Sequence, residues 1–193
     1  MLFRSSGYRN DAKKVACKFM SDLAGDDPIV TPSASCSGYV RNYYKELFPD
    51  ESEKVNQFSS RIKELSEFLV DDLHITNLGA RLHGKATYHD SCAALRECKI
   101  KESPRKLLEQ VEGLELIEME HNETCCGFGG TFAVKFEAIS VAMAEQKVQN
   151  AINTGADYII STDMSCLMQL DGYIKKQQLP IKTMHLADVL VMG

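Results

Sequence analysis

The sequence lacks a hydrophobic run long enough to cross a membrane, since its longest apolar runs are only a few residues. Residues 1–6 contain no apolar stretch of the kind that a secretory signal needs, so we expect a cytoplasmic protein. Positive charge is not in excess either, because 22 Lys and Arg face 27 Asp and Glu, a net charge of −5. This balance argues against nucleic acid or acidic lipid as a partner.

What is present is an ordinary globular composition with an unusual amount of cysteine. Of 193 residues, 44% are hydrophobic and 25% charged, which argues against a disordered chain and is enough for one domain or two small ones. Seven cysteines occur, an odd number that excludes complete pairing in disulfides within one chain. Without an export signal, such thiols more often serve as metal ligands or catalysts.

Hydrophobic periodicity predicts helices that alternate with short strands. The predicted helices cover 10–24, 38–48 (capped by Ser35 or Ser37), 51–73, from Pro104 to before Gly113, 136–153 and 164–177, with a short helix at the end of the chain. The predicted strands cover 28–31, 85–89, 114–119, 156–161 and 181–184. This alternation is typical of an α/β fold with mostly parallel sheets flanked by helices.

An internal repeat is found when the chain is shifted by 130 residues. Between positions 25 and 45, seven of 21 residues are identical to their counterparts, where chance gives about one or two. The repeated unit is a helix, a glycine, a buried strand, a Ser-Cys pair and a second helix. It places Cys36 and Cys166 at equivalent positions, each after a strand, where α/β folds build their sites.

Four cysteines are predicted to converge on one site. Cys92 follows one strand, Cys125 and Cys126 precede a glycine-rich turn, and Cys166 follows another strand. Four thiolates from three loops are a complete ligand set for an iron–sulfur cluster, with four irons and four sulfides favoured, or for tetrahedral zinc. The spacing does not distinguish these metals, because soft thiolates suit both.

The glycines after the Cys-Cys pair are candidate cofactor-binding positions. Gly127, Gly129 and Gly130 let backbone N–H groups approach a bound cluster and stabilise its charge. The other cysteines are interpreted differently: Cys17, on a helix face, and Cys98 are expected to be buried as small apolar residues.

Two other kinds of function stay open at this point. Cys125 or Cys126 is a candidate nucleophile at a helix start, activated by the helix dipole and a nearby histidine, which indicates a thiol-based enzyme. That hypothesis gives no role to Cys92 and Cys166. A zinc-stabilised interaction module without redox chemistry is the third possibility.

The sequence resembles the cysteine-rich CCG domain family over nearly the whole chain, and three segments carry the resemblance. They are Tyr88-His-Asp-Ser-Cys92, Cys125-Cys-Gly-Phe-Gly-Gly-Thr-Phe-Ala-Val-Lys135 and Ser165-Cys-Leu-Met168. The family includes one of the subunits of heterodisulfide reductase and the iron–sulfur subunit of glycolate oxidase, and the likeness is strongest to its lactate-utilisation branch. The resemblance implies an electron-relay subunit rather than a complete enzyme, with other iron–sulfur or dehydrogenase subunits as partners in oxidising L-lactate to pyruvate. His89 and Asp90 precede Cys92 and are candidates to support the cluster, while a role of His89 as a structural cap or an exposed residue stays equally open.

The sequence departs from the family pattern in its first half. The family carries its cysteine motif twice, and here the first Cys-Cys-Gly is absent, so the resemblance implies a truncated first half at 1–80 and a complete second half at 81–193. Cys36 is then the one ligand left to the first site. In the second half Gln169 stands where the family often has a further cysteine.

Overall fold

The computed structural model describes residues 7–193. Its α-helices are α1 (Arg9–Asp22), α2 (Ala34–Leu47), α3 (Ser52–Ser60), the single turn α4 (Leu65–Glu67), α5 (Glu102–Leu108), α6 (Thr131–Lys135), α7 (Glu137–Asn153), α8 (Met164–Gln177) and α9 (Leu186–Leu190). A 3₁₀ turn (Pro49–Glu51) and two π-helical segments (Phe68–Asp72 and Ala93–Cys98) complete the helical structure of the described residues.

All strands within residues 7–193 run parallel, in two sheets. The strands are β1 (Ile29–Thr31), β2 (Ile62–Glu64), β3 (Arg81–Tyr88), β4 (Glu112–Leu116), β5 (Tyr158–Ser161) and β6 (Lys182–His185). β1 and β2 form a two-stranded sheet, and the other four form a sheet in the order β4-β3-β5-β6. The predicted α/β class with short parallel sheets flanked by helices is confirmed.

The repeated unit is visible in the order of the elements. Helix α1, strand β1 and helix α2 correspond to helix α7, strand β5 and helix α8, and α2 covers the residues that lie 130 positions before those of α8. β2 pairs with β1 as β6 pairs with β5. Each repeat has its own apolar core: one lies between α1, α2 and α3, and the other lies between β5, α7 and α8.

The two repeats meet along a seam of small residues. Ala34 of α2 packs against Ala93 and Ala94 of the second π-helical segment. Close approach is needed here, because a Cβ atom on Gly38 would lie 2.6 Å from the Glu97 carboxylate. The Cys98 thiol donates a hydrogen bond across the seam to the Ala34 carbonyl at 3.3 Å.

The predicted helix over 51–73 is wrong. Ile62 pairs with Ile29 in the parallel ladder between β1 and β2, so strand pairing interrupts the helical pattern. Glu64 then starts a new turn, since its side chain accepts hydrogen bonds from the backbone of Ser66 and Glu67 in a capping box. The burial and strand pairing of Ile62 outweigh the helical spacing of the apolar residues around it.

Two smaller expectations are also wrong. The second helix begins at Ala34 rather than near residue 38, because Ser33, with an extended backbone, is its N-cap. Ser35 and Ser37 therefore lie inside the first turn. Cys17 is exposed on α1 rather than buried. Helix α8 has the predicted bounds of 164–177.

Candidate metal centre

The four cysteines lie where three neighbouring strands end. Cys92 follows β3, the Cys125-Cys126 pair follows β4, and Cys166 lies in the first turn of α8, directly after β5. These strands are adjacent in the order β4-β3-β5, so their carboxyl ends meet at one edge of the sheet. The sheet topology therefore brings together residues that are 74 positions apart between Cys92 and Cys166.

The four thiols influence one another in sequence. Cys92 affects the pKa of Cys125, Cys125 that of Cys126, and Cys166 that of Cys126. Cys126 and Cys166 are buried, Cys125 is half-buried and Cys92 is exposed. The row of thiols therefore runs from the buried Cys166 to Cys92, which faces solvent.

The electrostatics of the thiols favour one shared negative charge. Hydrogen bonds from the Cys126 and Cys92 thiols and from the Gly127 N–H lower the pKa of Cys125 far below its usual value. The same contacts with Cys125, together with burial, raise the pKa of Cys126 and of Cys92. Loss of several protons from such a group requires a cation to compensate the charge, which is how thiolate metal sites are stabilised.

His89 lies on the buried side of the thiols. One ligand atom from each of His89, Cys126 and Cys166 falls within 4.8 Å of the other two. Neither ring nitrogen of His89 has a hydrogen-bond partner of good geometry, although the Asn122 backbone is near enough to act on its charge. Burial, followed by the charge of Lys147, lowers the pKa of His89 to about 3, so the ring is neutral and presents a free lone pair.

Gly127 fits the backbone closely against the thiols. Its N–H donates to the Cys125 sulfur at 3.4 Å, and its φ of +89° is in the region that favours glycine. A Cβ atom there would lie 2.4 Å from the Ser140 carbonyl oxygen of α7. Gly129 and Gly130 differ from it, because they form the exposed turn that leads into α6.

The residue in place of a further cysteine has a structural role. Gln169 donates to the Ser140 hydroxyl at 2.9 Å, and that hydroxyl donates to the Gly127 carbonyl at 2.8 Å. These two bonds link α8 to α7 and to the Cys-Cys-Gly turn. The remaining cysteines lie outside this group: Cys36 is exposed in α2, and Cys98 has its pKa raised to about 12 by burial.

Two groups beside the thiols were not predicted from the sequence. Lys147 of α7 is fully buried, and burial lowers its pKa to about 8 against the opposing effects of Asp90 and three of the cysteines. A lysine on the face of α7 that carries Ala144, Val148 and Ala151 is the signal that could have identified it.

The second group is the carboxylate of Asp163. It is buried at the start of α8 and accepts hydrogen bonds from Ser33 (3.3 Å), Ser35 (2.9 Å) and Ser91 (3.0 Å). Because Ser91 precedes Cys92, and Asp163 lies three residues before Cys166, this carboxylate ties two of the cysteine-bearing loops to α2 of the first repeat.

The donor set fits a thiolate-bound metal group. Four soft sulfur atoms in contact, a neutral buried imidazole and a backbone N–H directed at sulfur match the ligands and supporting hydrogen bonds of iron–sulfur and zinc sites. An isolated nucleophile paired with one base fits this arrangement less well, because Cys125 contacts two further thiols. No helix in residues 7–193 is both long and apolar enough to cross a membrane.

Parallel strands that end in a cluster of cysteines, with a Cys-Cys-Gly turn at its centre, define a cysteine-rich domain protein, and the CCG cysteine-rich domain family matches residues 86–171. Relatives that match nearly the whole chain define its family more narrowly. Lactate utilization protein A 2 of Bacillus cereus (strain Q1) is 42% identical over 192 residues, which cover 98% of this chain and 79% of the relative. Lactate utilization protein A of Halalkalibacterium halodurans is 44% identical over 189 residues, covering 96% and 77%. The chain belongs to the lactate utilization protein A family.

Proposed function

We propose that the chain is an iron–sulfur electron-transfer subunit, with a cluster of four irons and four sulfides held by Cys92, Cys125, Cys126 and Cys166. The observation that carries this proposal is the placement of these four thiols after three adjacent parallel strands, with Cys126 and Cys166 within 4.8 Å of each other. When bound, such a cluster supplies reversible one-electron transfer.

The surrounding residues hold and shield this centre. The Gly127 N–H donates to the Cys125 sulfur, which lowers the charge density on that ligand. His89 fills the buried side, while burial of Cys126 and Cys166 keeps water from half of the ligand set. Exposed Cys92 is the edge at which we expect electrons to enter or leave.

We further propose that these electrons come from L-lactate. The support is the name of the relatives, lactate utilization protein A. Oxidation of L-lactate to pyruvate releases two electrons and two protons, and the sequence has no flavin or nicotinamide fingerprint with which to accept them. The chain therefore acts as a relay beside other iron–sulfur or dehydrogenase subunits, in a cytoplasm whose reducing conditions keep its thiols available.

A zinc site is the second candidate, and one observation favours it. His89, Cys126 and Cys166 present three donor atoms within 4.8 Å, and a mixed set of nitrogen and sulfur ligands is common for zinc. In that case the metal stabilises the junction of β3, β4 and β5, and the chain is an interaction module.

Metal and acid-labile sulfide analysis of protein purified without oxygen separates the two candidates. We expect about four irons and as many sulfides per chain, with a broad visible absorption band. Cys166→Ser should lose the cluster, whereas Cys17→Ser, which changes an exposed thiol on α1, should retain it. One zinc without sulfide would contradict the cluster and support the second candidate. Equal iron in both variants would contradict the ligand set.

The link to lactate is tested by complementation. In a bacterial strain that lacks its own lactate utilization protein A, this chain and its Cys17→Ser variant should restore growth on L-lactate as carbon source. Cys166→Ser should not restore it, because the relay is interrupted. Restored growth with Cys166→Ser at an equal protein level would contradict the proposed role of the site.

A further inference from the structure

Lys147 is a charged side chain in the interior of α7. It is 0% exposed, and its neighbours on the same helix face, Ala144, Val148 and Ala151, belong to an apolar core. Burial of a lysine is strongly unfavourable unless hydrogen bonds and an opposite charge compensate it. An apolar residue of the same length would satisfy the packing, so the charge needs a separate explanation.

The hydrogen bonds of Lys147 point to the cysteine-bearing loop. Its ammonium donates to the backbone carbonyls of His121 (2.5 Å) and Asn122 (3.0 Å), which come shortly before Cys125. These carbonyls satisfy two donors but supply no full negative charge. Within residues 7–193, no ion pair joins Lys147 to a carboxylate.

Thiols are candidates for the opposite charge, because Cys126 and Cys166 belong to the same apolar core as the face of α7 that carries Lys147. Asp90, and after it Cys126, Cys125 and Cys166, act on the charge of Lys147. Asp90 is already paired with Arg105 through hydrogen bonds of 3.0 and 2.6 Å. The three cysteines therefore remain as the group whose negative charge, when they are bound to metal, lacks another buried cation among the described residues.

We propose that Lys147 is the fixed counter-charge of the thiolate centre, stabilising its negative charge and raising its reduction potential. This inference rests on the proposed metal site but applies to zinc as well as to an iron–sulfur cluster. Reduction by one electron makes the centre one charge more negative, with no bond formed or broken. A buried cation beside it favours that reduced state, because the interior screens charges weakly.

Two substitutions separate charge from packing. Lys147→Gln removes the charge and keeps an N–H donor for the loop carbonyls, while Lys147→Met removes both and keeps the length. Replacement of a buried charge by a neutral group is often tolerated, so both variants should fold. Lys182→Gln is the matched control, since Lys182 is exposed at the start of β6, at the opposite edge of the sheet.

The measurement is the midpoint potential of the loaded protein, from an anaerobic redox titration followed by visible absorption. Both Lys147 variants should shift the electron-transfer equilibrium at least tenfold toward the oxidised state, which corresponds to about 59 mV lower potential. Lys182→Gln should match the wild type. A wild-type potential in Lys147→Gln would overturn the proposal and leave Lys147 as an anchor for residues 121–122.

Metal affinity tests the inference if the cluster is absent. When wild-type protein holds no iron and sulfide, the proposed electron-transfer function fails, and zinc affinity is measured by competition with a chelator. Zinc affinity is also measured in this way if a Lys147 variant folds but takes up no cluster. Zinc binding at least tenfold weaker in Lys147→Gln than in Lys182→Gln supports the counter-charge, and equal affinities overturn it.

Discussion

At the scale of single residues, the loop that carries Cys92 is fixed by a buried ion-pair group. Arg105 of α5 donates to both carboxylate oxygens of Asp90 and to both of Glu118, at distances from 2.6 to 3.0 Å. Its guanidinium also lies over the Tyr88 ring, 5.1 Å from the centroid. Asp90 is two residues before Cys92, so this arginine positions the loop at the end of β3.

Removal of this arginine should be costly. Arg105→Met leaves the Asp90 carboxylate buried without its partner, and we expect a loss of about 3–5 kcal/mol in the free energy of unfolding. Urea denaturation of the metal-free protein measures it. In the control, Arg81→Met breaks an ion pair with Glu112 whose side chains are 65% and 66% exposed, at a cost below about 1 kcal/mol. Similar losses in the two variants would refute the argument.

At the scale of elements, the Cys-Cys-Gly turn depends on helix α7 behind it. Gly127 lies against the Ser140 carbonyl, and the Ser140 hydroxyl bonds back to the Gly127 carbonyl. The turn and the helix therefore form one packed unit, in which the direction of the Cys125 and Cys126 side chains follows from how closely the backbone approaches α7.

A single methyl group at this contact should disturb the metal centre. Gly127→Ala places a Cβ atom 2.4 Å from the Ser140 oxygen, and its backbone has φ +89°, so the turn must move. We expect most of the bound metal to be lost, as measured by metal analysis after anaerobic purification. Gly172→Ala, in the exposed middle of α8 with no atom within 4 Å, should keep the metal and gain about 0.5–1 kcal/mol of stability. Wild-type metal content in Gly127→Ala would exclude this account of the turn.

The sequence predicted the strands and loops that carry the cysteines better than it predicted the residues and segments that pack around them. Parallel strands place their carboxyl ends at one edge of a sheet, so α/β alternation predicted that the cysteine-bearing loops lie on the same edge, but not which strands are neighbours. Lys147 was missed because the spacing of apolar residues in α7 shows which face is buried but gives no reason for a charge on that face. The helix over 51–73 was wrong because Ile62 pairs with a strand more than 30 positions away, which helical periodicity does not register.

At the scale of the whole molecule, the two repeats are joined through Asp163. Its carboxylate accepts from Ser33 and Ser35 of the first repeat and from Ser91 before Cys92. The division of the chain into halves at 1–80 and 81–193 stays a prediction, and this junction offers a way to test how strongly the halves depend on each other.

A double-mutant cycle measures that dependence. Asp163→Ala and Ser35→Ala should each lower the free energy of unfolding, and the double variant should lose less than the sum, with a coupling of about 0.5–3 kcal/mol. In the control cycle with Ser60→Ala, an exposed residue of α3 whose hydroxyl bonds to the Gln57 carbonyl, the effects should add within about 0.5 kcal/mol. Additivity in the first cycle would mean that the hydrogen bonds across the junction do not couple the halves.

The contact between Ser33 and Asp163 has an evolutionary consequence. The two residues are 130 positions apart, so they occupy the same place in the two copies of the repeat, and their side chains meet each other. In a symmetric dimer of identical subunits this place would hold two serines or two aspartates, and two buried carboxylates would repel. Two copies carried in one chain need not be identical, so one copy supplies the donor, Ser33, and the other supplies the acceptor, Asp163.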